Sequence, residues 1–146
     1  MDLGGCISVV ISFAAVLVSI MTFFKNTKRA RKEATLNAYN TLQEQALDEL
    51  NKYSKKAISK ACKYPDSSEY KDITCCLARI EHFSVGVNTK IYDLKTVRRM
   101  GGAYIVSLYN KTESMIQEKE KRKPNNKHYD EFSILIKNLK KKQDKM

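Results

Sequence analysis

Five cysteine and histidine residues beyond the apolar start of the sequence could in principle bind a metal ion or act in catalysis. They are Cys62, Cys75, Cys76, His82 and His128. A zinc site needs thiolates or imidazoles that converge at about 2.0–2.3 Å from one ion. The sequence has no Cys-x-x-Cys motif, and adjacent cysteines point about 100° apart on a helix. We therefore predict no metal site and no cofactor.

Nucleophilic catalysis would need a serine or cysteine close to a histidine that an acidic residue orients. The sequence has only two histidines, no Gly-x-Ser-x-Gly motif and no glycine-rich phosphate loop. His82 is predicted on a solvated helix face. We expect the protein not to be an enzyme, and a hydrolase or metalloenzyme is kept as an alternative to be tested.

Glu81 falls at the edge of a predicted buried helix face. A half-buried carboxylate needs a partner, because its desolvation costs several kcal/mol. Arg98, Arg99 and Arg122 are candidate partners. We predict a structural ion pair between Glu81 and Arg98.

Basic residues form two groups in this chain of net charge +11. Near an anionic lipid surface each of them contributes roughly 1 kcal/mol to binding. The first group is predicted to contact lipid headgroups, whereas the second either docks on lipid or is a solvated tail. The first consists of Lys25, Lys28, Arg29, Arg31 and Lys32, and the second of Lys137, Lys140, Lys141, Lys142 and Lys145.

The charge is distributed unevenly along the 146 residues. The first 24 contain one charged residue, Asp2, and the rest carry a net charge of +12. Residues 3–24 form an uncharged stretch in which a helix would span roughly 33 Å, which matches a hydrocarbon core of about 30 Å. Its Leu, Ile, Val and Phe residues favour insertion by about 4–7 kcal/mol. Residues 1–24 are therefore predicted to be a transmembrane anchor.

The basic residues that follow this segment predict its orientation. Positive residues stay on the cytoplasmic side, so we expect the N-terminus outside the cell membrane and residues 25–146 in the cytoplasm. A buried core helix and a cleaved signal peptide are the alternatives. Gly4, Ser8 and Ser12 form a small-residue pattern that also allows a homo-oligomer.

Helical periodicity dominates the remaining sequence. Apolar residues recur every 11 positions over residues 28–63, which predicts one long helix that either continues from the anchor or starts anew. Three further helices are predicted over residues 69–87, 94–121 and 128–141. The fold class is thus all-α, with one N-terminal transmembrane helix and an antiparallel cytoplasmic bundle of about four helices with a basic C-terminal tail.

Two shorter features are predicted within this bundle. Gly101 and Gly102 interrupt the third helix, where they indicate either a close approach of a neighbouring helix or a local break. Asp93 is a candidate helix cap, and Ile91 and Tyr92 are expected to pack on the core.

Several segments carry a resemblance to a known group of proteins. They are Lys28-Arg-Ala-Arg31 with Ala34-Thr35, residues 77–87, Ile91-Tyr92-Asp93, Gly101 with Tyr109 and Ile116, and Tyr129-Asp-Glu-Phe132. The resemblance is to domain-of-unknown-function family 4760, a group of small bacterial proteins with a single membrane helix. It implies the same architecture and supplies no activity or catalytic residue. The chain departs from the pattern in lacking a tryptophan in the third helix.

These observations lead to an expected function without a reaction. The chain is predicted to be a membrane-anchored interaction protein that binds anionic lipid headgroups and an unidentified protein partner. Defence against phage, or phage exclusion, would suit this build. A membrane-tethered nucleic-acid-binding protein is the alternative, although lysine and glutamate interleave over residues 117–122 as on an ordinary solvated helix face.

Overall fold

The computed structural model describes residues 3–122 and 128–141, with side chains from residue 12 onward. Within these ranges the chain is helical with short connections and contains no strand, so the predicted all-α class is confirmed. The helices are α1 (Leu3–Leu42), a π-helical turn (Gln43–Leu47), α2 (Asp48–Asn51), α3 (Lys55–Ala61), α4 (Ser68–Asn88), α5 (Leu94–Arg122) and α6 (Asp130–Lys140).

The helix α1 continues from the apolar segment into the bundle without a break. The π-helical turn and α2 prolong it, so that a single helical rod extends to Asn51. The sequence left open whether the two helices would be joined, and the structure joins them. The absence of glycine and proline between Cys6 and Tyr64 accounts for this continuity.

The predicted single helix over residues 28–63 is wrong beyond Asn51. The helical path is interrupted at residues 52–54, and Ser54 begins α3 by accepting a hydrogen bond from the Ala57 amide at 3.1 Å. A serine side chain that caps a new helix competes with continuation of the old one. The described bundle therefore has five helical rods, one more than predicted.

Polar side chains from other helices bind the carbonyl groups near the end of this first rod. Arg79 donates to the Gln45 carbonyl at 2.8 Å, and Lys111 donates to the Asn51 carbonyl at 2.9 Å. The π-helical turn and the helix end leave carbonyl groups without the regular intrahelical partner. The side chains of α4 and α5 supply it.

The other three helices begin and end within two residues of the predicted bounds. Ser67 caps α4 by accepting from the Tyr70 amide at 3.3 Å. Asp93 caps α5 by accepting from the Thr96 amide at 2.9 Å, as predicted. The helix α6 begins at Asp130 rather than at His128.

The core lies where α4 packs against α6 and α5 packs against α1, α3 and α6. Leucine and isoleucine dominate it, and Phe132 is the largest side chain that is fully buried. Burial of each such side chain stabilises the fold by about 1.5–3 kcal/mol. The largest fully buried side chains are Leu47, Leu50, Ile58, Ile73, Leu77, Ile80, Val97, Ile105, Leu108, Met115, Phe132 and Leu135.

Both interpretations of the glycine pair apply at Gly101. Its backbone is not helical (φ −173°, ψ 31°), so α5 is kinked there. A Cβ atom on Gly101 would also overlap the hydroxyl group of Tyr39, a buried side chain on α1. The glycine thus permits the close approach of α1 and α5 at the kink.

The connection between α4 and α5 packs on the core through one of its two apolar side chains. The ring of Tyr92 stacks on Phe83, with 5.3 Å between centroids. Ile91 is 63% exposed, so its predicted packing on the core is wrong. The two side chains are adjacent in the connection, yet only Tyr92 turns toward the core.

Candidate functional site

The apolar half of α1 presents large hydrophobic side chains to its surroundings. Those described between residues 12 and 24 are between 47% and 72% exposed. Val16, Leu17 and Val18 are consecutive, and helical residues turn by about 100° each, so apolar groups lie on every side of the helix. The set is Phe13, Val16, Leu17, Val18, Ile20, Met21, Phe23 and Phe24.

Hydroxyl groups in this half of α1 bond to their own helix. Ser19 donates to the Ala15 carbonyl at 2.9 Å, and Thr22 donates to the Val18 carbonyl at 2.8 Å. These polar groups therefore need no partner outside the helix. Among the residues that the structure describes, no helix has both the length and the hydropathy that a membrane span requires.

A basic stripe, defined here as Lys25, Lys28, Arg29 and Lys32, follows the apolar half directly. The four positions are spaced by three and four residues and share one helix face. All four side chains are exposed. The stripe thus places four cationic groups on one side of α1, within eight residues of Phe24.

Arg31 was predicted with the same basic group, but the structure gives it another contact. It is half-buried, and its guanidinium donates to the Tyr92 carbonyl at 2.9 Å. One turn later, the buried Thr35 hydroxyl accepts from the Asp93 amide at 2.8 Å. These two hydrogen bonds tie α1 to the α4–α5 connection.

The electrostatics of Asp93 reflect this junction. Its pKa lies below the ordinary value, first because the Thr96 hydroxyl and amide donate to the carboxylate. The positive charges of Arg31 and Lys32 lower it further. The start of α5 is therefore close enough to the basic region of α1 for their charges to interact. Sequence reasoning identified Asp93 as a cap but had no signal for this long-range junction.

The second basic group lies partly in the described residues. Lys137, Lys140 and Lys141 are exposed at the end of α6. Lys142 and Lys145 lie outside the described residues. Both interpretations of this second group, lipid contact and a solvated tail, remain predictions.

The predicted ion pair between Glu81 and Arg98 is wrong. The Glu81 carboxylate accepts instead from the backbone amides of Glu131 at 3.0 Å and Phe132 at 2.7 Å. These are two of the first amides of α6, and Tyr129 at the N-cap position supplies no side-chain acceptor for them. A carboxylate from α4 thus caps α6. Free amides at a helix N-terminus can bind a carboxylate in place of a guanidinium group.

The partial burial of Glu81 was predicted correctly and affects its acidity. Desolvation raises the pKa of Glu81 above its ordinary value, and the charges of Glu131 and Asp130 raise it further. The two amide hydrogen bonds lower the pKa by a smaller amount. The folded structure therefore holds the protonated form of this carboxyl group more readily than the unfolded chain does.

Two of the three arginines considered as partners of Glu81 bind elsewhere, and the third, Arg99, is exposed. Arg98 donates to the Asn138 carbonyl at 2.9 Å, which links α5 to the end of α6. Arg122 pairs with Glu118 at 3.2 Å and donates to the Cys62 carbonyl at 3.0 Å. Backbone carbonyls at helix ends take these guanidinium groups.

The cysteines and histidines do not assemble into a metal site in the described part of the chain. No three His, Cys, Asp or Glu residues there are placed to hold an ion. Cys76 is buried among apolar neighbours, and His82 is exposed, as predicted. Cys75 and His128 border one surface cavity of about 370 Å³ together with Glu81. The Glu81 carboxylate is already bound by two amides.

The comparisons with known proteins place the chain in a family. A family model for a domain of unknown function (DUF4760) matches residues 9–139. The chain belongs to this family. The match begins inside the apolar half of α1 and ends in α6, so DUF4760 includes both the rod and the bundle. No curated protein and no solved structure matches the chain.

Proposed function

We propose that this DUF4760 protein is a membrane-anchored, non-enzymatic interaction protein. Residues 1–24 lie in the lipid bilayer of the cell membrane as a single-pass anchor, and residues 25–146 form a bundle at its cytoplasmic surface. There the bundle binds a second protein. The observation that carries the proposal is the apolar half of α1, which exposes large side chains on every side.

The exposed apolar surface supports a lipid environment on energetic grounds. Full burial of a large hydrophobic side chain is worth about 1.5–3 kcal/mol. The eight described side chains are already partly covered, so they would gain about 7–14 kcal/mol together in a medium that covers all of them. A soluble monomer rarely leaves so large an apolar patch uncovered. A bilayer covers every face of a helix at once, whereas one packed neighbour covers only part of it.

The basic stripe supports the cytoplasmic placement of the bundle. Its four exposed side chains would lie at the level of the lipid headgroups if Phe24 marks the edge of the hydrocarbon core. At roughly 1 kcal/mol for each basic residue, they would add about 4 kcal/mol of attraction to an anionic leaflet. The same positive charge opposes transfer of this end of α1 across the membrane.

Two matched double variants of the full chain test the anchor. Leu17→Arg with Met21→Arg puts two charges into the apolar half, at a cost of about 5–7 kcal/mol for insertion. Leu36→Arg with Asn40→Arg adds the same charge with the same spacing at exposed positions of α1 inside the bundle. We expect the first pair to move the protein out of carbonate-washed membranes and the second pair to leave it there.

Equal retention of both double variants in the membrane would contradict the anchor. The orientation has its own test, since protease added outside intact cells should leave the bundle uncut. Digestion of the bundle under these conditions would show that it lies outside the cell, which contradicts the proposed orientation. Chemical crosslinking in native membranes then asks whether a second protein or only a second copy of the chain is captured.

A further inference from the structure

The connection between α4 and α5, residues 89–93, lies beside the basic stripe. The Arg31 and Thr35 hydrogen bonds hold it against α1 at the Lys32 end of that stripe. Arg31 follows Phe24 by seven residues, which is a rise of about 10 Å along the helix. The headgroup layer adds roughly 5–8 Å to each side of the hydrocarbon core. Side chains of this connection are therefore within reach of a bilayer that ends at Phe24.

The backbone of the connection is unusual at Lys90. Its φ is 65°, and Lys90 is the one non-glycine residue with a positive φ among those the structure describes. The left-handed conformation costs a lysine roughly 1–2 kcal/mol, and glycine is the usual residue in it after a helix. A strained residue that keeps a charged side chain points to a role for that charge.

The side chains at the turn combine a cation with an exposed apolar group. Lys90 is exposed, and Ile91 next to it is 63% exposed. Lys95 is exposed on the first turn of α5. The nearby acid, Asp93, is held at the start of α5 by the Thr96 amide and hydroxyl. Its one negative charge is outnumbered by the exposed cations Lys90 and Lys95, so the turn is net positive.

We propose that residues 89–92 form a second contact with the anionic lipid surface, in which Lys90 binds headgroup phosphates and Ile91 enters the headgroup layer. This inference rests on the proposed function, since it takes the anchor to be in the bilayer. With the basic stripe it gives the bundle two points of attachment. Two points fix which side of the bundle faces the membrane and which side is presented to a partner.

The chain contains no tryptophan, so a single introduced one reports on its own surroundings. Ile91→Trp places the reporter in the proposed contact. Tyr64→Trp is a matched control, because Tyr64 is 60% exposed. Tyr64 is two residues from Cys62, whose carbonyl accepts a hydrogen bond from Arg122 at the C-terminal end of α5. The α4–α5 connection lies at the other end of α5, some 40 Å away along that helix.

The full-length variants are reconstituted into vesicles of phosphatidylcholine, with or without phosphatidylglycerol, that contain lipids brominated at a shallow acyl position. We expect quenching of Trp at position 91, more strongly with phosphatidylglycerol, and no quenching at position 64. Adding Lys90→Gln to the Ile91→Trp chain should lower the equilibrium constant of docking about fivefold, which reduces the quenching.

The outcomes separate this inference from the proposed function. If the protein floats with the vesicles but Trp at position 91 is quenched no more than Trp at position 64, the loop contact is wrong and the anchor stands. If the protein does not float with vesicles of either composition, both are wrong. Quenching that is equal in the two lipid mixtures and insensitive to Lys90→Gln would overturn the role of Lys90.

Discussion

Replacing Gly101 by alanine is expected to destabilise the bundle through one identified contact. The new Cβ atom would overlap the Tyr39 hydroxyl oxygen and would lie 2.9 Å from the Tyr39 Cζ atom. Tyr39 is buried and cannot swing into solvent. Overpacking of this kind costs about 1–3 kcal/mol, and the smaller entropy of the unfolded alanine chain returns about 0.4–1 kcal/mol. We expect a net loss of about 1–2 kcal/mol.

The loss should depend on the Tyr39 hydroxyl group. Tyr39→Phe removes the atom that the Cβ atom would meet first. In that background Gly101→Ala should cost less by about 1 kcal/mol, and this difference is the coupling energy of the double-mutant cycle. Urea unfolding of the full chain in mild detergent, followed by circular dichroism, measures all four free energies of unfolding.

The neighbouring glycine is an internal control. A Cβ atom on Gly102 would lie 3.4 Å from side-chain atoms of Arg98 and Leu139, which is ordinary contact. Gly102 is helical, so alanine there should be neutral or stabilising by up to about 1 kcal/mol. The reasoning fails if Gly101→Ala is as stable as the wild type, or if its cost is the same with and without the Tyr39 hydroxyl.

Three further predictions concern the Arg31 hydrogen bond, the backbone at Lys90 and the acidity of Glu81. Arg31→Ala removes the donor to the Tyr92 carbonyl and should cost about 1–2 kcal/mol, with faster hydrogen exchange at the Asp93 amide; unchanged exchange there would contradict the junction. Lys90→Gly relieves the left-handed conformation and should raise the free energy of unfolding by about 1 kcal/mol, and a loss of stability would show that the conformation is not strained. The pKa of Glu81 is higher in the folded protein than in the unfolded chain. At a pH between these two pKa values the folded protein binds more protons than the unfolded chain, so wild type should lose stability relative to Glu81→Gln as the pH rises through this range. Urea midpoints from about pH 4 to pH 7 check the last prediction, and a difference that moves in favour of wild type would refute it.

Most helix positions of the bundle could be predicted, because their signals are local. Apolar spacing located α4, α5 and α6, and short polar side chains marked two of their starts. Ser67 and Asp93 accept hydrogen bonds from amides three residues further on, which is a contact that the sequence itself brings together. Such signals need no knowledge of the tertiary fold.

The break in the first rod shows where a local signal was present but not decisive. Ser54 is a good cap, yet the 11-residue apolar repeat continues through it. The repeat itself places Leu47 and Ile58 in the core correctly. At its ends it fails, since Leu36 is 42% exposed and Tyr64 is 60% exposed. The π-helical turn and the start of α3 change which helix face each later residue occupies. The 11-residue repeat does not indicate either feature.

Long-range partners could not be predicted from residue types. The sequence indicated correctly that Glu81 is half-buried and needs a partner, but an anion is satisfied equally by a guanidinium or by free amides. Which one it meets depends on where α6 begins relative to α4. The same holds for Arg31. The sequence shows it as one of five similar basic residues, and only the fold places the Tyr92 carbonyl of the α4–α5 connection beside it.

The unbroken path of α1 has a mechanical consequence. A helix of 40 residues is a lever of about 60 Å, and this one contains no glycine or proline after its first turn to act as a pivot. A change of about 10° in the tilt of its apolar half would swing the other end sideways by about 10 Å. If the apolar half lies in a bilayer, as proposed, thinning, thickening or curvature of that bilayer would reorient the bundle at the other end of α1.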